Sequence, residues 1–278
     1  MVANSEGFFQ HGTTRRKLFY RLWEPLQCHA LVIIIHGFGE HSGRYAALAQ
    51  ALAQHGLGVA CPDLWGHGRS DGRRGDIGSF AQYLEDLDAL TSQVFLARFS
   101  QRPVAVFGHS FGGLVAIHWA LRSPDLLRCL ILQSPLLEVG FPVPKWKERL
   151  IGFLGRLWQG FPLPIGLDPV WLSHDATVVQ QYRQDPLVHS RISARGHRAL
   201  QGAMRQALDQ AKDVSLPTLL LYGGADRVVS VKACQAFFER LACEKRAVDF
   251  PDCYHELHHE AVQPRVVELV SEWVQAHG

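Results

Sequence analysis

One serine lies where a buried strand is expected to turn sharply into a helix. The run 104–107 is apolar and rich in valine, Gly-His-Ser-Phe-Gly follows at 108–112, and a helical pattern begins at once. The two glycines leave room for a strained turn that larger side chains would block. The start of the helix presents free backbone N–H groups and the positive end of a dipole to a developing oxyanion. We therefore predict that Ser110 is a nucleophile.

The spacing Gly-x-Ser-x-Gly occurs a second time, around Ser70. A Pro-Asp-Leu-Trp-Gly-His segment precedes this serine, and Arg-Arg-Gly-Asp-Ile-Gly follows it, so neither a strand nor a helix directly flanks it. Only Ser110 has the strand, turn and helix that the nucleophile pattern requires. We interpret Ser70 as a loop residue. The alternative for Ser110 is a simple helix cap in an inactive protein.

A serine hydroxyl needs a base, and the base needs a carboxylate to orient it. In open parallel sheets, functional side chains follow the carboxyl ends of strands. Asp226 comes shortly after a strand predicted to end at Tyr222, and His255 after one predicted to end at Phe250. The chain order Ser, Asp, His agrees with that of a strand-turn-helix serine hydrolase. We predict Ser110, Asp226 and His255 as a catalytic triad.

Other residues compete for the acid and base roles. His258 and His259 could also act as the base, but we expect them at the solvated start of the last helix. Asp249 and Asp252 are weaker candidates for the carboxylate of the triad, because they lie beside the histidine rather than at a separate strand end. Asp226 itself has the alternative of a turn residue in Gly-Gly-Ala-Asp.

An oxyanion hole needs two backbone N–H donors. One is expected from Phe111, directly after the nucleophile, and the other from the loop that follows the first buried strand. That loop begins His-Gly-Phe, and we assign the donor to Phe38. His36, at the end of the strand, is expected to satisfy nearby backbone groups.

Strand and helix patterns alternate along most of the chain, which predicts an α/β fold. An antiparallel hairpin is expected over 6–23, and Ser79 and Gln82 predict a capping box at the start of a helix that reaches Phe99. We expect a mostly parallel sheet of about eight strands with helices on both faces. The remaining buried strands are predicted at 30–35, 58–61, 104–107, 127–132, 217–222 and 246–250.

The alternation stops between residues 135 and 193. This stretch is rich in proline and tryptophan, and such a long departure is usually functional. We predict one core domain, residues 1–134 and 194–278, with a helical cap or lid inserted at 135–193. Within the cap, apolar residues recur at helical spacing, which predicts a helix that packs on the core or covers an acyl pocket. These residues are Leu150, Phe153, Leu154, Leu157 and Trp158. Leu154 and Trp158 are candidate substrate contacts, and peripheral membrane contact is the alternative role of this face.

Composition excludes several classes of protein. The 278 residues are 47% hydrophobic and 19% charged, with a net charge of +2 and no basic stripe, so we predict no nucleic-acid partner. We identify no signal peptide and no apolar run long enough to span a membrane. The six cysteines are scattered, without metal-ligand spacing, which favours a cytoplasmic protein. We predict neither a cofactor nor a metal.

Six segments together resemble the monoacylglycerol lipase and lysophospholipase group of α/β-hydrolases, over nearly the whole chain. The resemblance implies the same triad and oxyanion hole, and a cap over an acyl tunnel. It further suggests that Glu40 and Arg44 line the polar end through which a glycerol headgroup leaves, the alternative being a surface salt bridge. The segments are 36–45, 63–70, 108–113, 185–189, 224–228 and 254–258.

The expected activity is a serine carboxylester hydrolase acting on a small lipid ester of monoacylglycerol or lysophospholipid type. Because one triad serves all acyl transfers, a short-chain esterase, a thioesterase, a lactonase or an aminopeptidase are alternatives. Dehalogenases and epoxide hydrolases are disfavoured, since they carry aspartate where this chain has Ser110. An inactive binding module of the same fold is the alternative from another class.

Overall fold

A mostly parallel sheet organises the part of the chain that the computed structural model describes, residues 1–100, 102–141 and 160–278. Its strands are β1 (Val2–Gln10), β2 (Lys17–Pro25), β3 (Ala30–Ile35), β4 (Leu57–Pro62), β5 (Val104–His109), β6 (Cys129–Gln133), β9 (Thr218–Gly223) and β10 (Lys245–Phe250). Within these residues the eight strands lie in the order β1-β2-β4-β3-β5-β6-β9-β10. β1 and β2 form the predicted hairpin, β2 is antiparallel to β4, and the other pairs are parallel. The predicted α/β sheet is confirmed.

Helices cover both faces of this sheet. They are α1 (Ala46–Gln54), α2 (Phe80–Leu90), α3 (Phe111–Arg122), α4 (Ala176–Gln184), α5 (Ala194–Asp209), α6 (Val231–Arg240) and α7 (Gln263–His277). The apolar side chains of α1 and α7 join one core cluster, and those of α2, α3, α5 and α6 join the other. The fold is therefore a three-layer structure.

The central strand β3 shows why its sequence is a continuous apolar run. Leu31, Ile33 and Ile35 belong to one core cluster, whereas Val32 and Ile34 belong to the other. Alternate side chains of a strand point to opposite faces, so a strand covered on both sides is apolar throughout. Each of these side chains is fully buried, which stabilises the fold by about 1.5–3 kcal/mol per residue.

The helix that begins after Ser79 differs from the prediction in two ways. Ser79 is the N-cap of α2, but its side chain accepts no capping hydrogen bond, so the predicted capping box does not form. The α-helix ends at Leu90, and a π-helical stretch, Thr91–Phe95, leads into a last turn, Leu96–Arg98. The wider turn leaves Thr91 and Phe95 both buried. Apolar spacing predicted the extent of this helical region but not its change of pitch.

The described parts of the predicted cap, residues 135–141 and 160–193, are not purely helical. Two short antiparallel strands, β7 (Pro162–Pro164) and β8 (Arg191–Ser193), flank a 3₁₀ turn and α4. Leu163, Leu172 and Ile192 are buried in the same cluster as α3 and α5. Leu154, Trp158 and their predicted helix lie outside the described residues. In the described ranges, no helix is long and apolar enough to cross a membrane.

Gly112 permits a close approach between α3 and the end of β3. A Cβ atom at this position would overlap the backbone carbonyl oxygens of Ile35 and His36. Neither oxygen can move without moving the strand. By contrast, a Cβ atom at Gly202 in α5 would meet nothing within 4 Å.

We predict opposite effects for alanine at these two helical glycines. Gly112→Ala should lower the free energy of unfolding by about 1–3 kcal/mol, because α3 must shift away from β3. Gly202→Ala should raise it by about 0.5–1 kcal/mol, since alanine loses less backbone entropy in a helix. Urea unfolding followed by circular dichroism measures both. Equal stability of the two variants would contradict the close approach.

Candidate active site

Ser110 adopts a strained backbone at the junction of β5 and α3. Its φ of 52° and ψ of −117° lie outside the common regions for a residue with a side chain. Such a conformation costs about 1–3 kcal/mol and persists where its surroundings hold it. The Ser110 N–H donates to the Gln133 carbonyl at 3.0 Å, and its own carbonyl accepts from the N–H groups of Leu114 and Leu136. The predicted sharp turn is confirmed.

His255 and Asp226 form a buried hydrogen-bonded pair at the ends of two adjacent strands. His255 Nδ1 lies 2.7 Å from Asp226 Oδ2. The other carboxylate oxygen, Oδ1, accepts from the N–H groups of Val228 and Val229. Because Nδ1 donates to the carboxylate, a neutral His255 keeps a free lone pair on Nε2. That is the form a general base requires.

The pair is electrostatically coupled. Burial alone would lower the pKa of His255, but the charge and hydrogen bond of Asp226, with contributions from Glu256 and Glu40, outweigh it and raise that pKa. Burial alone would raise the pKa of Asp226, but His255 and two backbone N–H groups outweigh it and lower that pKa. Both shifts favour the ion pair that forms when the imidazole takes up a proton.

The N–H groups of Phe38 and Phe111 are free for a ligand. Phe111 is the first residue of α3, so its N–H has no acceptor within the helix. In the described ranges neither amide has a hydrogen-bond acceptor in the protein. The two aromatic rings are in edge contact, 5.5 Å between centroids, which links the loop after β3 to the start of α3.

A cavity of about 210 Å³ borders Ser110, His255 and Phe38. Most of its other lining side chains are apolar, and many of them come from the described parts of the predicted cap and from α5. They include Leu163, Ile165, Leu172, Leu200 and Met204. An apolar space beside a serine and a histidine suits an acyl chain.

The second serine of the repeated pattern has a structural role, as expected. Ser70 Oγ accepts from the Phe19 N–H at 2.8 Å and donates to the Asp63 carbonyl at 2.6 Å. His36 is also structural, because its Nε2 accepts from the Leu64 N–H at 2.9 Å.

The expectation for His258 and His259 is wrong. They lie in a separate 3₁₀ turn, Leu257–His259, and α7 begins only at Gln263. His258 is 2% exposed and its Nδ1 is 2.7 Å from Gln133 Nε2. His259 Nδ1 is 2.7 Å from a Glu256 oxygen. His258 is therefore held by a side chain of β6, and His259 by Glu256 of the adjoining turn and by the Arg44 carbonyl, 3.0 Å from its Nε2.

The family model described as serine aminopeptidase, S33, matches residues 27–262. The chain belongs to this family, whose fold is that of the α/β-hydrolases. A monoacylglycerol lipase of Mycolicibacterium smegmatis is 30% identical over 264 residues, 94% of each protein, and a monoglyceride lipase of Rattus norvegicus is 32% identical over 92% of this chain and 86% of that protein. An uncharacterised abhydrolase domain-containing protein of Dictyostelium discoideum is 33% identical, but the match covers only 28% of its length.

The solved structures agree with these relatives. The crystal structure of Paleococcus ferrophilus monoacylglycerol lipase superposes with a TM-score of 0.83, at 30% identity and over 100% of both chains. These relatives identify the chain as a carboxylic ester hydrolase.

In this α/β-hydrolase, Glu40 and Arg44 form a buried ion pair rather than a surface salt bridge. Glu40 borders the cavity, whereas Arg44 is absent from its described lining. Arg44 also bonds to Glu256, a residue that the sequence analysis did not single out. The only available signal was that Glu256 directly follows His255.

A second set of polar groups behind the site was also missed. His109 is the last residue of β5, and its ring centroid lies 4.6 Å from that of His255. Its Nδ1 is 2.9 Å from Gln133 Nε2, which also contacts His258. Burial lowers the pKa of His109 to about 4, so its imidazole stays neutral beside His255.

One group in the described residues has the spacing of a metal site. Ligand atoms of Glu256, His258 and His259 lie within 4.8 Å of one another. Both Glu256 oxygens, however, accept hydrogen bonds from the Arg44 guanidinium at 2.7 Å. A cation at this place would face a fixed positive charge, so the donor set is a poor fit for a metal.

We predict that stability falls as the pH drops from about 6.5 towards 4. Among the described residues, burial holds the pKa of six histidines below the usual value: His36, His67, His109, His118, His189 and His258. In this window the unfolded chain takes up protons that the folded chain refuses, which favours unfolding. His255 has a raised pKa and opposes the trend, but it is one group against six.

Urea unfolding at a series of pH values measures this effect. His109→Gln should flatten the dependence, and His55→Gln, which replaces an exposed histidine, should leave it unchanged. Stability that stays constant or rises on acidification would show that these imidazoles are not held neutral.

Proposed function

We propose that this ester hydrolase cleaves acyl esters of monoacylglycerol or lysophospholipid type through a covalent intermediate on Ser110. The observation that carries the proposal is the shared cavity. Ser110, His255 and Phe38 border one apolar space. Asp226 is hydrogen-bonded to His255, and the Phe111 N–H directly follows the strained serine. These are the parts that serine-based acyl transfer needs.

In the proposed mechanism, Ser110 Oγ attacks the ester carbonyl while His255 Nε2 takes the hydroxyl proton. The Phe38 and Phe111 N–H groups stabilise the negative oxygen of the tetrahedral intermediate. Asp226 stabilises the imidazolium that forms. The intermediate collapses, the C–O bond to the alcohol breaks, and His255 returns the proton to the leaving oxygen. A water molecule, deprotonated by His255, then releases the fatty acid from Ser110.

Two features support a single-chain lipid ester as substrate. The lining of the cavity, which has a volume of about 210 Å³, is mainly apolar, as an acyl chain requires. The relatives of M. smegmatis and R. norvegicus are named as monoacylglycerol and monoglyceride lipases. We further propose that residues 135–193 act as a cap over the acyl chain, since Leu163 and Leu172 from this stretch line the cavity.

The family description raises a second candidate, an aminopeptidase. The same triad can cleave an amide, but an aminopeptidase must also bind a free ammonium group. The carboxylates that border the cavity, Glu40 and Glu256, are both bonded to Arg44. Each carboxylate is already hydrogen-bonded to the guanidinium, and an ammonium ion would have to compete with Arg44 for it, so the described lining favours an uncharged ester.

Replacing the two serines of the repeated pattern tests the nucleophile. Ser110→Ala should reduce kcat on p-nitrophenyl butyrate by at least about 1,000-fold, because no covalent intermediate can form. Ser70→Ala should retain kcat per folded molecule, although the loss of two buried hydrogen bonds should lower its melting temperature. Substantial activity of folded Ser110→Ala would exclude the mechanism.

A substrate panel tests the proposed specificity. We expect kcat/KM on monoacylglycerols to exceed that on aminoacyl p-nitroanilides by at least about 100-fold, because both carboxylates in the described cavity lining are already bonded to Arg44. Lysophosphatidylcholine and p-nitrophenyl butyrate complete the panel and separate lysophospholipase from general esterase activity. Faster cleavage of the anilides would instead favour the aminopeptidase.

A further inference from the structure

Two loops that carry parts of the proposed site are joined by a buried cluster of charges. The oxyanion loop, residues 36–45, contains the Phe38 N–H, and the histidine loop, residues 251–259, contains His255. Each loop contributes one buried carboxylate, Glu40 and Glu256, whose side chains are 3% and 2% exposed. Arg44 lies between them.

Glu40 fixes the conformation of the oxyanion loop. Its Oε1 accepts from the Gly37 N–H at 2.6 Å and from the Tyr45 hydroxyl at 2.6 Å. Its other oxygen accepts from Arg44 Nη1. The Gly37 contact lies one residue before the Phe38 N–H, so a shift of this carboxylate would rotate the peptide that carries the donor.

Glu256 holds the histidine loop in a similar way. Its two carboxylate oxygens accept from Arg44 Nη1 and Nη2, both at 2.7 Å. Its backbone N–H donates to the Leu172 carbonyl at 2.8 Å, in the stretch proposed as the cap. Because Glu256 directly follows His255, this two-pronged bond restricts the loop that presents the imidazole.

The Arg44 guanidinium is enclosed by protein. It stacks 4.7 Å from the ring centroid of Tyr182 on α4, and its side chain is 8% exposed. Arg44 is not among the described residues that line the cavity. Its contacts in the described residues include Glu40, Glu256 and Tyr182. Its charge is therefore directed at the two loops rather than at a ligand.

We propose that Arg44 is a positioning residue that sets the distance between the Phe38 N–H and His255. This inference rests on the proposed acyl transfer at Ser110, and it assigns Arg44 a role other than contact with the glycerol headgroup. The Phe38 N–H and His255 must both be held to within a fraction of an ångström, because in the proposed mechanism one stabilises the oxyanion while the other accepts the proton. A planar guanidinium can bind two carboxylates at fixed angles, and lysine cannot reproduce this geometry.

The variants Arg44→Met, Arg44→Lys and Glu256→Gln test the proposal, with Arg16→Met as a matched control. Arg16 also forms a largely buried ion pair, 2.7 Å from Asp86, but on the hairpin and α2. All variants are assayed for kcat and KM on p-nitrophenyl butyrate, which has no glycerol, and on a monoacylglycerol. Thermal unfolding confirms that each is folded at the assay temperature.

For Arg44→Met we expect kcat to fall about 100-fold on both esters with KM within about threefold of the wild type, since a misplacement near 1 Å costs rate rather than binding. Arg44→Lys should show an intermediate loss, and Arg16→Met should keep kcat. If Arg44→Met does not fold, Arg44→Lys and Glu256→Gln carry the same comparison.

A loss confined to KM for the monoacylglycerol would overturn the proposal in favour of headgroup binding. A kcat like that of Arg16→Met on both esters would overturn it as well.

The same experiment separates this inference from the proposed function. An active wild type and an inactive Ser110→Ala support acyl transfer whatever Arg44 does. If neither ester is hydrolysed, the rate of Ser110 labelling by a fluorophosphonate probe replaces kcat. Labelling of Arg44→Met at the wild-type rate would then contradict the positioning role.

Discussion

The left-handed backbone of Ser110 is the constraint on which the rest of the site depends. It is unfavourable for serine by about 1–3 kcal/mol and is held by hydrogen bonds to Gln133, Leu114 and Leu136. This turn directs the chain from the end of β5 straight into α3, so the Phe111 N–H, which has no acceptor within the helix, directly follows the serine. The close approach of Gly112 to β3 then brings α3 against the loop that carries Phe38.

The parallel sheet turns distant parts of the chain into neighbours. β3, β5, β6, β9 and β10 are paired in that order, so their carboxyl ends form one edge. The loops that leave this edge supply Phe38, Ser110, Asp226 and His255, which span more than 200 residues of sequence. Since all four leave strands of a single sheet, strand pairing brings them to the same edge, and contacts within and between the loops set their final positions.

Local patterns in the sequence were sufficient for the parts of the structure that depend on local physics. The glycines around Ser110, the continuous apolar run of β3 and the strand ends before Asp226 and His255 predicted the sheet and the residues that follow it. The burial of His258 and the role of Glu256 were missed, because both depend on partners far away in the chain. Glu256 meets Arg44, 212 residues earlier, and no periodicity of charged residues reveals such a pair.

The cluster of Glu40, Arg44 and Glu256 is unfavourable as a means of stabilising the fold. Desolvating three charges costs several kcal/mol per ion, and well-packed apolar residues of the same volume would often be at least as stable. The ion pairs instead fix the orientation of the two loops. Each carboxylate oxygen accepts from a defined donor, and each of these hydrogen bonds has a preferred angle. Apolar packing would bury the same volume but would leave the two loops free to slide. In the proposed mechanism the site stabilises an oxyanion and transfers a proton in the same step, and such a site gains more from fixed angles than from added stability.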